Sequence, residues 1–274
     1  MTVQRTRRQT HAFIEAAMLA LLAALASLVG VTFSAQPQEK DGPGPAADLL
    51  ARIEARSHGL TTLHAKLTYD RIQGLLGDKQ RRVGELWYAG GPPARFAVHF
   101  DKLLVNRRAV QQDRWYIFDG QWLVERLDDK KQFIKRQVVA PPTKDAPNPK
   151  PADPLALGQG PFPVPIKIKK DEVLKRFEVT IIDPSAKDDP KDTKTHHLRL
   201  VPKKDRRNIL TRIDLWFDQS TLLPVQVRTM DESENETVVA LRDTKVDEPI
   251  EKETFDTAVP KGDGWLIEIK PWEP

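Results

Sequence analysis

Cysteine is absent from the 274-residue chain. This absence excludes disulfide bonds, thiolate ligands for zinc and a catalytic thiol. It also excludes an acyl anchor attached to an N-terminal cysteine. Any cross-link or metal site would have to be built from other side chains.

The sequence also lacks the short motifs of the common enzyme classes. It contains no Gly-x-Ser-x-Gly elbow, no phosphate-binding loop and no dinucleotide fingerprint. His196 and His197 are adjacent on a predicted strand, so their side chains point to opposite faces and cannot converge on one metal ion. We therefore expect no enzyme activity, no metal and no other cofactor. A catalytic site assembled from separate strands is the third alternative, after the two functions given below.

A strong imbalance of charge is missing as well. The chain has 43 Lys and Arg against 39 Asp and Glu, a formal net charge of +4. Residues 1–34 hold three of the arginines and one glutamate, so their removal would leave +2. So small and evenly mixed a charge argues against nucleic acid as a partner.

The first 35 residues have the pattern of a secretory signal peptide. Three arginines between positions 5 and 8 precede an apolar run over residues 16–31, and small residues follow at 32, 34 and 35. This pattern predicts cleavage after Ser34 or Ala35 and a periplasmic or otherwise extracytoplasmic protein. The alternative is an uncleaved membrane anchor at residues 16–33, which is barely long enough to span a bilayer.

Alternating apolar and polar residues dominate the rest of the chain. Between Leu198 and Val246 four such segments are separated by short polar turns, and Leu63 to Asp70 and Arg95 to Asp101 repeat the pattern. This period of two, with turns every eight to twelve residues, is typical of an antiparallel sheet with one apolar face. We predict a mainly β fold, an antiparallel sheet of about 11–12 strands that curls toward a barrel.

Two segments are candidates to cover this sheet. After a linker at residues 36–45, Asp48 is predicted to cap an amphipathic helix that Gly59 ends. Nine prolines between Ala140 and Pro165 exclude a central strand there, and this segment carries apolar residues that a solvated linker would not need. These are Leu155, Leu157, Phe162 and Val164. We predict one domain over residues 46–274, with a helix and a Pro-rich insertion at 140–165 as its cover.

Aromatic residues lie on several of the predicted strands. They include Trp87, Trp115, Trp122 and Trp216. One interpretation is that these side chains simply fill the core. The other is that they line a cavity, because a curled sheet of this size encloses more volume than its side chains readily fill.

Short segments along the chain share their order and residue types with one known family. The first two are an amphipathic helix followed by Leu-His-Ala-Lys-Leu-Thr (residues 48–68) and a Gly-x-Leu-Trp strand followed by Pro and Phe (84–96). The others are an Asp-Gly hairpin (118–124) and two C-terminal segments (198–203 and 250–262). From about Asp48 to Leu266 the chain thus resembles the periplasmic outer-membrane lipoprotein carrier family (LolA-like). The family has an arginine between the Gly-x-Leu-Trp strand and the proline, associated with lid closure and cargo release. Here Gly90 or Gly91 stands in its place.

The resemblance implies an unclosed antiparallel β-barrel covered by helices. It also implies a noncatalytic carrier whose apolar interior accepts the acyl chains of a lipoprotein or other lipid. It further implies docking proteins at the inner and outer membranes. Ile53 matches the family's apolar lid-helix position, and Trp87 and Phe96 match its strand motifs. The alternation adds further candidates for the lipid-binding cavity, namely Leu49, Phe100, Leu215 and Val225. The alternative function is an envelope-stress sensor or protein-interaction module on the same fold.

Overall fold

In the part of the chain that the structure describes, twelve strands form one sheet, and its two edge strands are not paired with each other. The computed structural model describes residues 44–75, 77–105, 108–141, 155, 162–184, 189–191, 193–203 and 209–273. The strands are β1 (Thr62–Ile72), β2 (Lys79–Ala89), β3 (Arg95–Val105), β4 (Arg108–Phe118), β5 (Trp122–Leu127), β6 (Gln132–Gln137), β7 (Phe177–Ile182), β8 (Thr195–Pro202), β9 (Leu210–Asp218), β10 (Pro224–Asp231), β11 (Glu236–Val246) and β12 (Leu266–Lys270). The predicted mainly β class with an unclosed sheet is confirmed.

The strand order explains why a long connection follows β6. The order across the sheet is β12-β6-β5-β4-β3-β2-β1-β11-β10-β9-β8-β7. Sequential hairpins build each half, and the pairing of β1 with β11 joins the halves. The chain leaving β6 must therefore cross to the opposite edge before it enters β7. The sheet is antiparallel, as predicted, except at one edge, where the C-terminal strand β12 pairs with β6 in parallel.

Two α-helices accompany the sheet, α1 (Pro45–His58) and α2 (Lys170–Arg176). The prediction that Asp48 caps α1 is wrong, because Gly44 is the N-cap and Pro45 opens the first turn. Proline suits that position, since its fixed φ is helical and the missing N–H would have no partner there. Asp48 lies in the first turn, where a carboxylate interacts favourably with the helix dipole. Gly59 is the C-cap, as predicted.

Three apolar clusters pack on the two faces of the sheet. The central cluster combines β1–β4 and β11 with side chains from the Pro-rich connection on what we call the inner face. The helix cluster packs α1 against β7–β10. The outer cluster lies on the opposite face of β2–β6 and includes Phe255 from the C-terminal segment. Both faces of the sheet are therefore covered over part of their area.

Neither described helix is long and apolar enough to cross a membrane. The predicted signal peptide, the alternative anchor at 16–33 and nearly all of the linker lie outside the described residues.

Candidate functional site

The structure brings most of the predicted cavity residues into the covered side of the sheet. Phe96 and Phe100 lie in the central cluster. Leu49, Ile53 and Leu215 lie in the helix cluster. All five side chains are buried. The predicted cavity positions thus fall into two neighbouring apolar clusters.

Trp87 does not join this set. In the ladder of β2 and β3 it lies opposite Ala97, whereas its neighbour Tyr88 lies opposite Phe96. Directly opposed residues share a face, and adjacent residues on one strand do not. Trp87 therefore packs with the outer cluster, on the opposite face of the sheet from Phe96. This corrects the sequence analysis, which assigned both residues to one cavity.

Val225 is the second correction. Across the ladder of β9 and β10, Pro224 pairs with Phe217 and Gln226 pairs with Trp216, so Val225 is the extra residue of a bulge. The bulge shifts the alternation by one residue, which sequence alternation alone does not reveal. Val225 is half-buried and Val227 takes the buried position in the helix cluster.

The Pro-rich connection supplies the apolar cover of the central cluster. Phe162, Val164 and Ile166 are buried there, and so is Leu155. Leu157 lies outside the described residues. We call residues 162–168 the cover segment. Its side chains replace the solvent that would otherwise wet the inner face of β1–β4.

Phe162 occupies an aromatic cage on the inner face. Its ring lies 5.9 Å from Tyr69, 5.9 Å from Phe100 and 4.8 Å from Tyr116, measured between ring centroids. Each cage residue belongs to a different strand, β1, β3 or β4, so only the folded sheet forms this cage. One loop side chain thus fills a pocket built by three strands.

The backbone of the cover segment bonds to itself. Val164 N donates to Phe162 O at 2.8 Å, and Ile166 N donates to Val164 O at 2.9 Å. Pro163 and Pro165 have no N–H to donate. Lifting this stretch would therefore expose apolar side chains without breaking the ladder of the sheet.

Helix α1 covers the neighbouring helix cluster in a similar way. Leu49, Leu50 and Ile53 form its buried stripe. Its polar side reaches α2, where Lys170 N donates to Glu54 Oε2 at 3.4 Å. The helix is thus held on the sheet by apolar contacts together with a long hydrogen bond.

A polar group borders the aromatic cage on the inner face. Arg82 lies opposite Tyr69 in the ladder of β1 and β2, and Arg114 lies opposite Phe100 in the ladder of β3 and β4. The guanidinium of Arg114 pairs with Glu125. Burial raises the pKa of Tyr116 to about 12, so this phenol stays neutral at ordinary pH.

A separate cleft of ≈ 270 Å³ lies on the outer face. Trp87 forms part of its wall and stacks on His64 and Trp115, with ring centroids 5.1 and 6.0 Å apart. Lys245 and Glu248 lie across the cleft from these rings and face each other at 3.6 Å. The volume is just below the roughly 300–1,000 Å³ of typical small-molecule sites, and the lining is mixed in charge. This cleft suits a small polar group better than an acyl chain.

The outer face of β8 and β9 carries a buried polar network that the sequence analysis missed. His197 Nε2 lies 3.0 Å from Asp214 Oδ1, and its ring stacks on Trp216. Arg199 and Arg212 approach the same carboxylate at 2.8 and 2.9 Å. Burial raises the pKa of Asp214, but the hydrogen bonds from His197 and Arg199 and the arginine charges outweigh it and hold that pKa below its ordinary value.

The sequence contained a partial signal for this network. Trp216 alternates with the apolar Leu215 and Phe217, so it stands on the same face as Asp214. It is nevertheless fully buried, and its indole N–H donates to Asp189 in the loop that follows β7. A tryptophan among charged residues on one face of a strand thus indicates that another segment covers that face. Within the described ranges, no group of three or more His, Asp or Glu side chains is arranged to hold a metal ion.

Comparison with known proteins gives likenesses of structure only. No family model and no curated protein matches the chain. An uncharacterised conserved protein from Thermus thermophilus is 10% identical, with a TM-score of 0.48 over 83% of this chain and 99% of that one. A LolA superfamily protein from Nitrosomonas europaea is 11% identical, with a TM-score of 0.33 over 76% and 96%. The MucA/MucB complex of Pseudomonas aeruginosa contains a chain 14% identical, with a TM-score of 0.38 over 78% and 61%.

Proposed function

We propose that this protein is an extracytoplasmic, noncatalytic carrier that holds an acyl chain against the inner face of its sheet. The observation that carries the proposal is Phe162, a loop side chain seated in a cage of Tyr69, Phe100 and Tyr116. The backbone of Phe162 takes no part in the described strand pairings. An acyl chain can therefore replace the Phe162 side chain in the cage without disrupting the sheet. The sequence resemblance to lipoprotein carriers supports the same cargo class.

The free-energy cost of opening the cover is similar to the free energy gained by burying an acyl chain. Burying one large apolar side chain contributes about 1.5–3 kcal/mol, so lifting Leu155, Phe162, Val164 and Ile166 into water would cost about 6–12 kcal/mol. An acyl chain contributes about 0.8 kcal/mol for each buried methylene, or about 11 kcal/mol for a chain of about 14. A long chain can therefore offset the opening of the cover, whereas a short chain cannot.

The first test removes the residue that fills the cage. Phe162→Ala weakens the closed cover, so a fluorescent long-chain acyl probe should bind more tightly than to wild type, by about tenfold for each 1.4 kcal/mol lost. The matched control is Phe255→Ala, which truncates a buried phenylalanine of the outer cluster. That variant should lose stability without gaining affinity. Equal affinity gains in both variants would mean that general loosening, not the cage, admits the probe.

A second test introduces a charge beneath α1. Ile53→Asp places a carboxylate in the helix cluster, where it is buried with or without a ligand. A chain that extends beneath α1 would lie against this unsolvated charge, so probe binding should weaken. Ala55→Asp introduces the same charge on an exposed position of the same helix and should leave binding unchanged. Saturable binding by wild type is required in both tests. Its absence would reject the carrier function.

Cargo transfer between membranes is the biological setting that we propose. It requires partners at the inner and outer membranes and a lipoprotein or other lipid as cargo. Capture of acylated material by a tagged, exported form of the chain, followed by mass spectrometry, identifies the cargo. Recovery of protein partners free of acyl groups would favour the interaction module instead.

One observation favours that second candidate. All five residues of the edge strand β12 are exposed, among them the apolar Leu266, Ile267 and Ile269. An exposed edge strand can pair with an extended segment of another protein. Ile267→Lys and Ile269→Lys together should abolish such pairing while leaving binding of the acyl probe intact, because two strands, β6 and β5, separate β12 from the cage strand β4.

A further inference from the structure

Among the described residues of the inner face, Arg82 has a positive charge with no carboxylate paired to it. Its Nε is buried and has no hydrogen-bond partner among those residues. Tyr69, Tyr116, Arg114 and Arg71 act on its charge, and none of these four is a carboxylate. Burial, and then the charge of Arg114, lower the pKa of Arg82 from its ordinary value.

The nearby carboxylate is already engaged. Glu125 accepts hydrogen bonds from Arg114 and, at 3.4 Å, from the hydroxyl of Tyr116. Among the described residues, Glu125 thus compensates Arg114, and no carboxylate pairs with Arg82. A buried charge without a partner is costly, and one anion would remove that cost.

The position of this charge relates it to the aromatic cage. Tyr69 lies opposite Arg82 in the ladder and touches the ring of Phe162, and Tyr116 touches the same ring. A molecule that displaced Phe162 would lie with one end beside Arg82. The planar guanidinium is suited to a carboxylate or a phosphate, which it can bind through two parallel hydrogen bonds.

We propose that the ligand is an amphiphile with one anionic group, whose chain takes the place of Phe162 and whose anion binds Arg82. This inference rests on the carrier function proposed above and narrows its cargo. The anion is either the carboxylate of a fatty acid or the phosphodiester of a phospholipid. A neutral acyl compound would leave Arg82 unmatched.

The experiment compares chains that differ only in charge. Wild type should bind palmitate roughly tenfold or more tightly than methyl palmitate, because only palmitate forms charge-assisted hydrogen bonds. Arg82→Met should abolish this preference by weakening palmitate binding, with the affinity for the ester unchanged within about two-fold. Lys102→Met is the matched control, since it removes one exposed positive charge from β3 and should keep the preference.

The outcomes separate this inference from the function on which it rests. Equal binding of palmitate and its methyl ester by wild type overturns the anionic ligand but leaves the carrier function intact. Binding of neither compound overturns both. The comparison within wild type does not depend on how well Arg82→Met folds. A competition experiment then measures how much lysophosphatidylglycerol, and how much unlabelled palmitate, displaces bound labelled palmitate. If lysophosphatidylglycerol displaces it at the lower concentration, the anion is that of a phospholipid. If palmitate does, the anion is that of a fatty acid.

Discussion

The ring of Phe162 stands edge-on to the ring of Tyr116, with centroids 4.8 Å apart and planes at 77°. Phe162 comes from the connection between β6 and β7, whereas Tyr116 belongs to β4. Connections normally run over the surface of a protein and carry few buried side chains. Here the connection forms part of the interior, which links the stability of the fold to the occupancy of the proposed site.

The first prediction concerns the helix cluster. Ile53 is 2% exposed and packs with Leu198 and Phe217 among others. Ile53→Ala should lower the free energy of unfolding by about 2–5 kcal/mol, because it removes buried methyl groups and leaves a cavity. Urea denaturation measures this loss. Arg52→Ala on the exposed side of α1 should change the same quantity by at most about 0.5 kcal/mol, and similar losses in both variants would contradict the packing described here.

The second prediction concerns acid stability. The pKa of Asp214 lies below its ordinary value of 3.8, so the charged carboxylate stabilises the fold above that value. This contribution is lost as the pH falls below about 4 and through the folded-state pKa. At neutral pH, Asp214→Asn should cost about 1–3 kcal/mol, because Arg199 and Arg212, which are each about one-third exposed, lose a buried counter-ion.

The measurement for Asp214 is urea unfolding of wild type and variant at several pH values between neutral and strongly acid. The difference between the two proteins should shrink as the pH falls, since protonation removes the same charge from wild type. Asp101→Asn, at an exposed position of β3, serves as the control and should run parallel to wild type. A difference that stayed constant over the whole range would contradict the assigned role of the carboxylate.

The third prediction concerns close approach of two strands. A Cβ added at Gly84 would overlap the backbone carbonyl of His99, at the bulge where β2 and β3 change register. Gly84→Ala should therefore destabilise the protein by about 1–3 kcal/mol or more. At Gly59 the nearest atom to such a Cβ is 3.9 Å away, so Gly59→Ala should be nearly neutral. Chemical denaturation of both variants checks the contrast, and an equally mild effect at Gly84 would refute the bulge.

The fourth prediction separates the two faces of the sheet. Trp87 stacks on His64 and Trp115 beside the outer cleft, away from the cage of Phe162. Trp87→Leu should leave the affinity for the acyl probe unchanged within about two-fold. The same fluorescence titration as for the Phe162 variant tests this. A loss of tenfold or more would move the acyl site to the outer face.

Much of the strand pattern could be predicted because it is local. The alternating segments Leu63 to Asp70 and Arg95 to Asp101 lie within β1 and β3, since successive side chains of any strand point to opposite faces. The start of α1 was less accessible, because Asp48 and Pro45 are both favourable near a helix start. The bulge at Val225 could not be predicted from the alternating pattern of the sequence, because an extra residue is recognised only by comparing the strand with its pairing partner.

The candidate site was only partly within reach of the sequence. Apolar alternation identified Phe96 and Phe100, and composition identified Phe162 as an apolar residue in a Pro-rich segment. Neither identified Arg82, which stands in a run of charged residues that resembles a solvated strand end. Its importance comes from Tyr69, Tyr116 and Arg114, three residues on other strands.

By itself, the sequence determined which side chains share a face within each strand, because the direction of a Cβ depends only on the backbone around it. It also determined that the segment with nine prolines between Ala140 and Pro165 would not form a central strand, since proline cannot donate to a ladder. Only the tertiary structure decided that β1 pairs with β11, opposing Leu63 to Val246, and that Phe162 enters the cage near Arg82. Those relationships join residues far apart in the chain, and their free energy comes from packing and charge that exist only once the strands have met.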